Sequence, residues 1–296
     1  MKKRSNWLGF VIIHVIFMGV WGALIEIPEK NGFPATLGYV VWAITMIPAA
    51  ILALAINKWK LEYDKRSILF GCLAGLLGAV GQLVLFFILK IAPAYLVFPL
   101  LSLTPVVTIL LAVFLLKEKT SRIGWIGIGV AIIAIFLLSY QPQSGQGGNG
   151  YLWMLLAAIP LFCWGAQGYI MRFANDIMKA ESIFFYMMIS SIALIPVALI
   201  MTDFSHPVNW GFKGPYLAGL IQILNAFGAL CLVYAFRYGK AIIIAPMTTA
   251  LSPVLTVVIS LGIYKLIPHP VIIGGMVLAI LSAFLMGIEE TKTEKT

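Results

Sequence analysis

Residues 7–27 read WLGFVIIHVIFMGVWGALIEI and contain only two ionisable side chains, His14 and Glu26. A helix needs about 20 mainly apolar residues to cross the hydrocarbon core of a bilayer. An apolar run of this length therefore predicts a membrane-spanning helix. The run has no small-residue cleavage motif and further such runs follow it, so we interpret it as a retained first helix and not as a secretory signal.

The rest of the chain repeats this pattern. Of its 296 residues, 61% are hydrophobic and 10% are charged, whereas soluble domains carry roughly 25% charged residues. The apolar blocks are continuous and not alternating, which favours helices over the strands of a membrane barrel. We predict an all-α integral membrane protein with ten transmembrane helices. The predicted spans are 7–27, 35–56, 68–89, 92–116, 121–140, 151–171, 181–201, 214–236, 241–264 and 269–288.

The formal net charge of +9 comes from basic residues in short loops. If the N-terminus is cytoplasmic, every Lys and Arg of the chain falls on the cytoplasmic side except Lys30, Lys90, Lys213 and Lys265. An excess of basic residues in cytoplasmic loops is typical of membrane proteins. The charges therefore predict a multi-pass protein of the plasma (cytoplasmic) membrane with both termini in the cytoplasm.

The chain is internally repeated. VWGA at 20–23 matches CWGA at 163–166, and further matches follow in the same order at offsets of 143 to 148 residues. They are Pro48 with Pro196, Gly81 with Gly228, Pro99 with Pro246 and Gly127 with Gly275. Between the repeats, QPQSGQGGNG at 141–150 is uncharged and has the composition of a flexible linker. We predict a first five-helix repeat at 1–140, a linker at 141–150, a second repeat at 151–288 and a cytoplasmic tail at 289–296.

Each predicted repeat contains five helices, which is an odd number. The second repeat therefore enters the membrane from the opposite side, and the two repeats have inverted topology. Inverted repeats are common in secondary transporters, where two similar halves rock around a central substrate site.

Other features recur in a fixed order. They are the Trp-Gly pair in the first helix of each half, a basic residue that closes the third helix (Lys90 and Arg237), a fourth helix with prolines that ends in KEK at 117–119, and a glycine-rich fifth helix. Together they resemble the EamA-like branch of the drug/metabolite transporter superfamily, over essentially the whole chain. The resemblance implies a ten-helix permease that moves a small polar or amphipathic metabolite by alternating access, with an amino acid or related compound as the first candidate.

The chain departs from the family pattern in two places. The fourth helix of the second half is followed by YKLIP at 264–268 and not by an acidic loop. The first helix also has no glutamate in the middle of the membrane, and the related small multidrug resistance exporters use such a glutamate for proton coupling. Proton-driven cation export of that kind is therefore not expected.

Polar and aromatic side chains inside the predicted spans are the candidates for substrate binding, because polar groups in a bilayer tend to face a cavity or another helix. The candidates are His14, Trp21, Glu26, Gln82, Trp164, Gln167, Gln222, Asn225, Thr248 and Thr249. His14 either contacts substrate or is a neutral histidine bonded to a neighbouring helix. Glu26 either attracts a cationic group or ends its helix at the interface. The amides either line a cavity or join helices.

Trp21 and Trp164 either stack on substrate or pack beside their glycine neighbours. The other tryptophans lie mostly near the ends of predicted spans, where aromatic belts form. They are Trp7, Trp42, Trp59, Trp125, Trp153 and Trp210.

The fourth helix of each half carries two prolines. They are Pro99 and Pro105 in the first half, and Pro246 and Pro253 in the second. Proline removes an intrahelical hydrogen bond, and nearby hydroxyls can bond the carbonyl that it frees. We interpret these prolines as gating positions in helices that bend during transport; a static kink is the alternative.

The sequence shows no catalytic constellation, no phosphate-binding loop and no metal-ligand spacing among its three cysteines. We therefore expect a protein that is not an enzyme and uses no metal or cofactor. Its expected partners are a small-molecule substrate and the lipid bilayer, without nucleic acid, and homo-oligomerisation stays open. A membrane receptor or an enzyme without an evident motif is the alternative, and a passive channel is the third hypothesis.

Overall fold

The computed structural model describes residues 7–89, 97, 100–101, 103–138, 140, 152–264 and 269–293. Every regular element in these ranges is helical, which confirms the all-α prediction for this part of the chain. The helices of the first half are α1 (Trp7–Leu24), α2 (Glu26–Lys30), α3 (Ala35–Ile56), α4 (Lys65–Leu89), α5 (Thr104–Phe114) and α6 (Arg122–Leu138). Those of the second half are α7 (Leu152–Ile177), α8 (Ala180–Ala193), α9 (Ile195–Met201), α10 (Leu217–Tyr238, after a π-helical turn at Phe212–Tyr216), α11 (Ala241–Tyr264) and α12 (Pro270–Thr293).

Seven helical stretches are long and apolar enough to cross a membrane, which makes the chain an integral multi-pass membrane protein. Three shorter apolar helices, Thr104–Phe114, Arg122–Leu138 and Pro270–Met286, occupy the other predicted blocks. The predicted span 92–116 lies partly outside the described residues. The number of ten membrane crossings therefore stays a prediction.

The predicted span 181–201 is broken in the structure. Helix α8 ends at Ala193 and α9 begins at Ile195, with Pro196 in the first turn of α9. Proline has no N–H to donate into the preceding turn, so the break falls where the helix loses this bond. Helices α7 and α12 run past their predicted ends, to Ile177 and Thr293.

The helices of one half pack largely against helices of the other. Helix α1 packs on α10 and α11, and α7, the first helix of the second half, packs on α4 and α5. Likewise α3 packs on α10 while α8 packs on α4, and α6 packs on α12. Each of these contacts thus has a partner contact in which the roles of the halves are exchanged, and the contact of α6 with α12 exchanges with itself.

Glycines allow the closest of these approaches. A Cβ on Gly22 would lie 2.6 Å from Oγ1 of Thr256 on α11, and a Cβ on Gly165 would lie 2.6 Å from Cγ1 of Val107 on α5. Hydroxyl bonds join the same helix pairs, because Thr256 donates to the Gly19 carbonyl at 3.1 Å and Thr108 donates to the Gly165 carbonyl at 2.9 Å. Close backbone approach at small residues is a common way for membrane helices to associate.

Basic residues gather at one end of the bundle, which we call the basic end. They include Lys58, Lys65, Lys117, Arg172 and Arg237. Helix α1 begins at this end, since Trp7 lies beside Gly239, which closely follows Arg237. Helix α12 approaches the same end, since Met286 lies beside Gly127 near the start of α6. At the opposite end, the loops after α2 and α9 meet.

Candidate functional site

Two amides of α10 bond two indoles from other helices. Gln222 and Asn225 are three residues apart and so share a face of α10. Trp21 of α1 donates its indole N–H to Oε1 of Gln222 at 2.9 Å, and Trp42 of α3 donates to Oδ1 of Asn225 at 2.8 Å. We call Trp21, Trp42, Gln222 and Asn225 the indole–amide cluster. It joins α1, α3 and α10 within the bundle.

The indoles determine how the amides are oriented. An indole N–H can only donate, so the oxygen of each amide faces its tryptophan and the NH₂ group points away. Within the described residues, Nδ2 of Asn225 has no hydrogen-bond partner, and Nε2 of Gln222 has only a long bond of 3.4 Å to the Gly38 carbonyl. The cluster therefore presents amide N–H groups that can donate to a ligand oxygen, next to aromatic surface.

Trp164, the second-half counterpart of Trp21, and Gln167 on the same helix are bonded to backbone. Trp164 donates to the Gly78 carbonyl at 3.2 Å and Gln167 donates to the Ala74 carbonyl at 3.0 Å, both on α4. A Cβ on Gly81 would lie 2.5 Å from Nε1 of Trp164, so the indole packs directly on that glycine. The structure thus places Trp164 and Gln167 between α7 and α4, apart from the amides of α10.

Three other candidates lie in different surroundings. His14 is buried and its Nδ1 lies 2.8 Å from the Gly228 carbonyl of α10, which matches the interpretation of a histidine bonded to a neighbouring helix. Gln82 is half-buried on α4. Glu26 is 65% exposed in α2 and pairs with Lys30 at 2.6 Å. The structure therefore does not bring Glu26 to the indole–amide cluster.

The hydroxyls and prolines of the fourth helices follow part of the expected pattern. Thr104 donates to the Leu101 carbonyl at 2.6 Å, which is the carbonyl that Pro105 leaves without its usual donor. Pro105 lies in the first turn of α5, and Pro246 and Pro253 lie inside α11. Pro99 lies outside the described residues.

The two threonine candidates of α11 differ from each other. Thr248 is buried and donates to carbonyls of its own helix, at 2.8 Å to Ile244 and 3.1 Å to Ala245. Thr249 is half-buried. Nearby, Oγ of Ser252 is buried and has no partner among the described residues.

Trp42 is the member of the cluster that sequence reasoning missed. It was expected in an interfacial belt, yet it lies in the eighth position of α3, about 10 Å along the helix axis. Its bond to Asn225 joins residues 183 positions apart. The available signal was its depth inside the predicted span 35–56, which is greater than an interfacial position requires.

An ion-pair network lies at the basic end. Glu118, in the turn after α5, accepts hydrogen bonds from Nε of Arg172 at 3.1 Å and from the backbone N–H of Ile242 at 3.1 Å. The Glu118 side chain is only 7% exposed. Burial raises the pKa of the Glu118 carboxyl, and the Ile242 N–H and Arg172 oppose this shift. Sequence reasoning had treated Glu118 only as part of the KEK motif.

A small polar cavity of about 200 Å³ lies at the same end. Its lining residues are Glu62, Asn175, Asp176, Ile177, Met178, Lys179 and Arg237. Lys179 bonds Asn57 at 2.7 Å and Arg237 bonds the Met178 carbonyl at 3.2 Å, so these two cations already join helix ends. Among the described residues, no group of three His, Cys, Asp or Glu side chains could hold a metal ion.

Comparisons with known proteins agree with these observations. The model of the EamA-like transporter family matches residues 5–140 and 150–288, which confirms the resemblance and the two-repeat architecture. Protein LicB of Haemophilus influenzae is 24% identical over 88% of this chain and 89% of its own length. The uncharacterised protein MJ1333.1 of Methanocaldococcus jannaschii is 34% identical over 33% of this chain and 74% of its own length. A solved crystal structure shares the fold, with a TM-score of 0.77 and 18% identity over 96% of both chains.

Proposed function

Because the chain belongs to the EamA-like transporter family, we propose that it is a secondary transporter of a small polar or amphipathic metabolite. The metabolite crosses the cytoplasmic membrane by alternating access. The basic end faces the cytoplasm, since basic residues concentrate in cytoplasmic loops.

The indole–amide cluster carries the proposal for the substrate site. Nδ2 of the half-buried Asn225 has no partner among the described residues, and it is a hydrogen-bond donor inside a predicted span. A substrate oxygen can accept this bond while an apolar part of the substrate lies on the indole rings of Trp21 and Trp42. A carboxylate, carbonyl or hydroxyl would satisfy the amide, and an amino acid or related compound combines such a group with an apolar part.

The exchanged helix contacts support alternating access. Helix α1 begins at the basic end, whereas α7 ends there, with Arg172 beside Glu118. Equivalent helices of the two halves therefore run in opposite directions, as inverted repeats require. In such an arrangement, a movement that closes one end of the bundle opens the other.

Two measurements test the function. A panel of labelled metabolites is first screened for thermal stabilisation of the purified protein, because a ligand that binds only the folded state raises its stability. Compounds that stabilise are then assayed for flux in proteoliposomes, with counterflow. We expect trans-stimulation by unlabelled substrate, which a channel does not show. Stabilisation by a ligand without any flux would favour a receptor and would refute the proposal.

Asn225→Ala tests the substrate site. The variant removes the free N–H donor, and loss of one hydrogen bond of about 1.4 kcal/mol corresponds to about a tenfold rise in KM for flux. Leu220→Ala is the matched control, because Leu220 lies on the same helix and is 61% exposed. If flux through Asn225→Ala falls only in proportion to the amount of folded protein, Asn225 serves packing and the site lies elsewhere.

A further inference from the structure

Glu118 is directed inward by an unusual turn. After α5 ends, Lys117 adopts a φ of 55°, a left-handed conformation that costs a non-glycine residue roughly 1–2 kcal/mol. The following N–H, that of Glu118, donates to the Ala112 carbonyl at 3.1 Å. The turn therefore places the Glu118 carboxylate against the basic end of the bundle. The neighbouring Lys117 and Lys119 are exposed.

The carboxylate joins three elements that come from both halves. One oxygen accepts from Arg172 near the end of α7, and the other accepts from the Ile242 N–H in the first turn of α11. A helix N-terminus carries partial positive charge and unpaired N–H groups, so it favours an anion. Arg172 also bonds Asp176 on its own helix at 2.7 Å, and this second carboxylate is exposed to solvent.

The first turn of α11, which this carboxylate contacts, is fully buried. Residues Ala241 to Ile244, the first turn of α11, are all 0% exposed. Further along the same helix, residues 251–253 and 255–257 are half-buried. Helix α11 is therefore fully buried at the basic end and more exposed further along.

The second half has no equivalent acid. From the last residue of α11 onward the sequence is YKLIP at 264–268, where the first half has KEK at 117–119. The sequence thus places this acid after the fourth helix of the first half and not at the matching position of the second half.

We propose that Glu118 is a latch that holds the basic end of the bundle closed and that releases Arg172 and the N-terminus of α11 when this end opens. The inference rests on the proposed transport function, because a latch has a role only if the two ends open in turn. Glu118 is a positioning residue in this scheme and does not contact substrate.

The latch is tested by the accessibility of a single cysteine. Ala245→Cys, which adds a single sulfur atom at a position that is 8% exposed, is introduced after the native Cys72, Cys163 and Cys231 are replaced by alanine. The protein in nanodiscs is treated with a membrane-impermeant maleimide. We expect Glu118→Gln to raise the labelling rate about tenfold, which corresponds to about 1.4 kcal/mol in the opening equilibrium.

Two further variants make the result specific. Arg172→Gln removes the other partner of the ion pair and should raise labelling in the same direction. Asp176→Asn is the matched control, because Asp176 is 57% exposed and bonds Arg172 on its own helix. It should leave the labelling rate within about twofold of the parent. A second reporter, Ala198→Cys, lies fully buried on α9 toward the opposite end and detects general loosening of the bundle.

The possible results are distinct. Faster labelling at position 245 but not at position 198, in Glu118→Gln and Arg172→Gln alone, supports the latch. Unchanged labelling at 245, or equal gains at both reporters, overturns it. The assay needs no substrate, so an absence of flux in proteoliposomes would refute the transport proposal separately from this result.

Discussion

Replacing Gly165 by alanine should destabilise the protein by wedging α7 away from α5. The new Cβ would lie 2.4 Å from Cβ of Val107 and 2.6 Å from its Cγ1, whereas carbon atoms pack at about 3.5 Å or more. The helices would therefore separate locally by about 1.1 Å. That movement would stretch the Thr108 to Gly165 hydrogen bond from its 2.9 Å to beyond bonding distance.

The magnitude follows from these two effects. Overpacking a close contact costs about 1–3 kcal/mol, and an interhelical hydrogen bond in a membrane protein contributes about 0.6 kcal/mol. The sum is about 2–4 kcal/mol, which should lower Tm by at least about 4 °C on the scaling known for soluble domains. Tryptophan fluorescence during heating of the protein in detergent measures the change.

Gly129→Ala is the matched control. It makes the same chemical change in α6, but among the described residues no packing neighbour lies within 4 Å of the added Cβ. Alanine is favoured over glycine in a helix by up to about 1 kcal/mol, so Tm should stay constant or rise. A Gly165→Ala protein as stable as the parent, or an equal loss of Tm in both variants, would refute the packing of α7 on α5 as described.

Two other predictions concern individual side chains. Trp42→Phe removes the N–H that orients Asn225, so KM for flux should rise while Tm falls by no more than about 2 °C, since one interhelical bond contributes only about 0.6 kcal/mol. Trp125→Phe, at a position that is 45% exposed, should change neither KM nor Tm. A large loss of Tm in Trp42→Phe would contradict the assigned role. Asp64 caps α4, and hydrogen bonds from Ser67 hold the pKa of its carboxyl below the ordinary value of 3.8. The stability that Asp64 contributes is therefore present above pH 3.8 and is lost as the pH falls through the pKa of the folded state. Asp64→Ser keeps a capping oxygen that does not titrate, and its Tm should therefore fall less steeply than that of the parent below about pH 4; equal slopes would exclude this cap as a source of acid sensitivity.

Most of the architecture was predictable because it depends on local composition. Apolar blocks of about 20 residues define membrane helices without reference to neighbours. The predicted limits 35–56 and 241–264 coincide with α3 and α11. The break between α8 and α9 was not predicted, although Pro196 was visible, because a membrane helix can accommodate a proline when neighbouring groups satisfy the freed carbonyl.

The candidate site was predictable only in part. The shared face of Gln222 and Asn225 follows from helical spacing alone. Their partners do not, because Trp21 and Trp42 lie 201 and 183 residues away and reach the amides only through the packing of three helices. Gln167 has the same chemistry as Gln222, yet its helix packs on α4 and its amide bonds backbone there.

The amino-acid sequence by itself determined that the chain is a helical membrane protein with two related halves, because hydropathy and internal repetition are properties of the residues in order. Only the tertiary structure decided which polar groups satisfy one another. In a bilayer, water cannot compete for buried donors and acceptors. The pairing is therefore set by which helices pack together, and this packing joins Glu118 to Arg172 and leaves the amide nitrogen of Asn225 available within the described bundle.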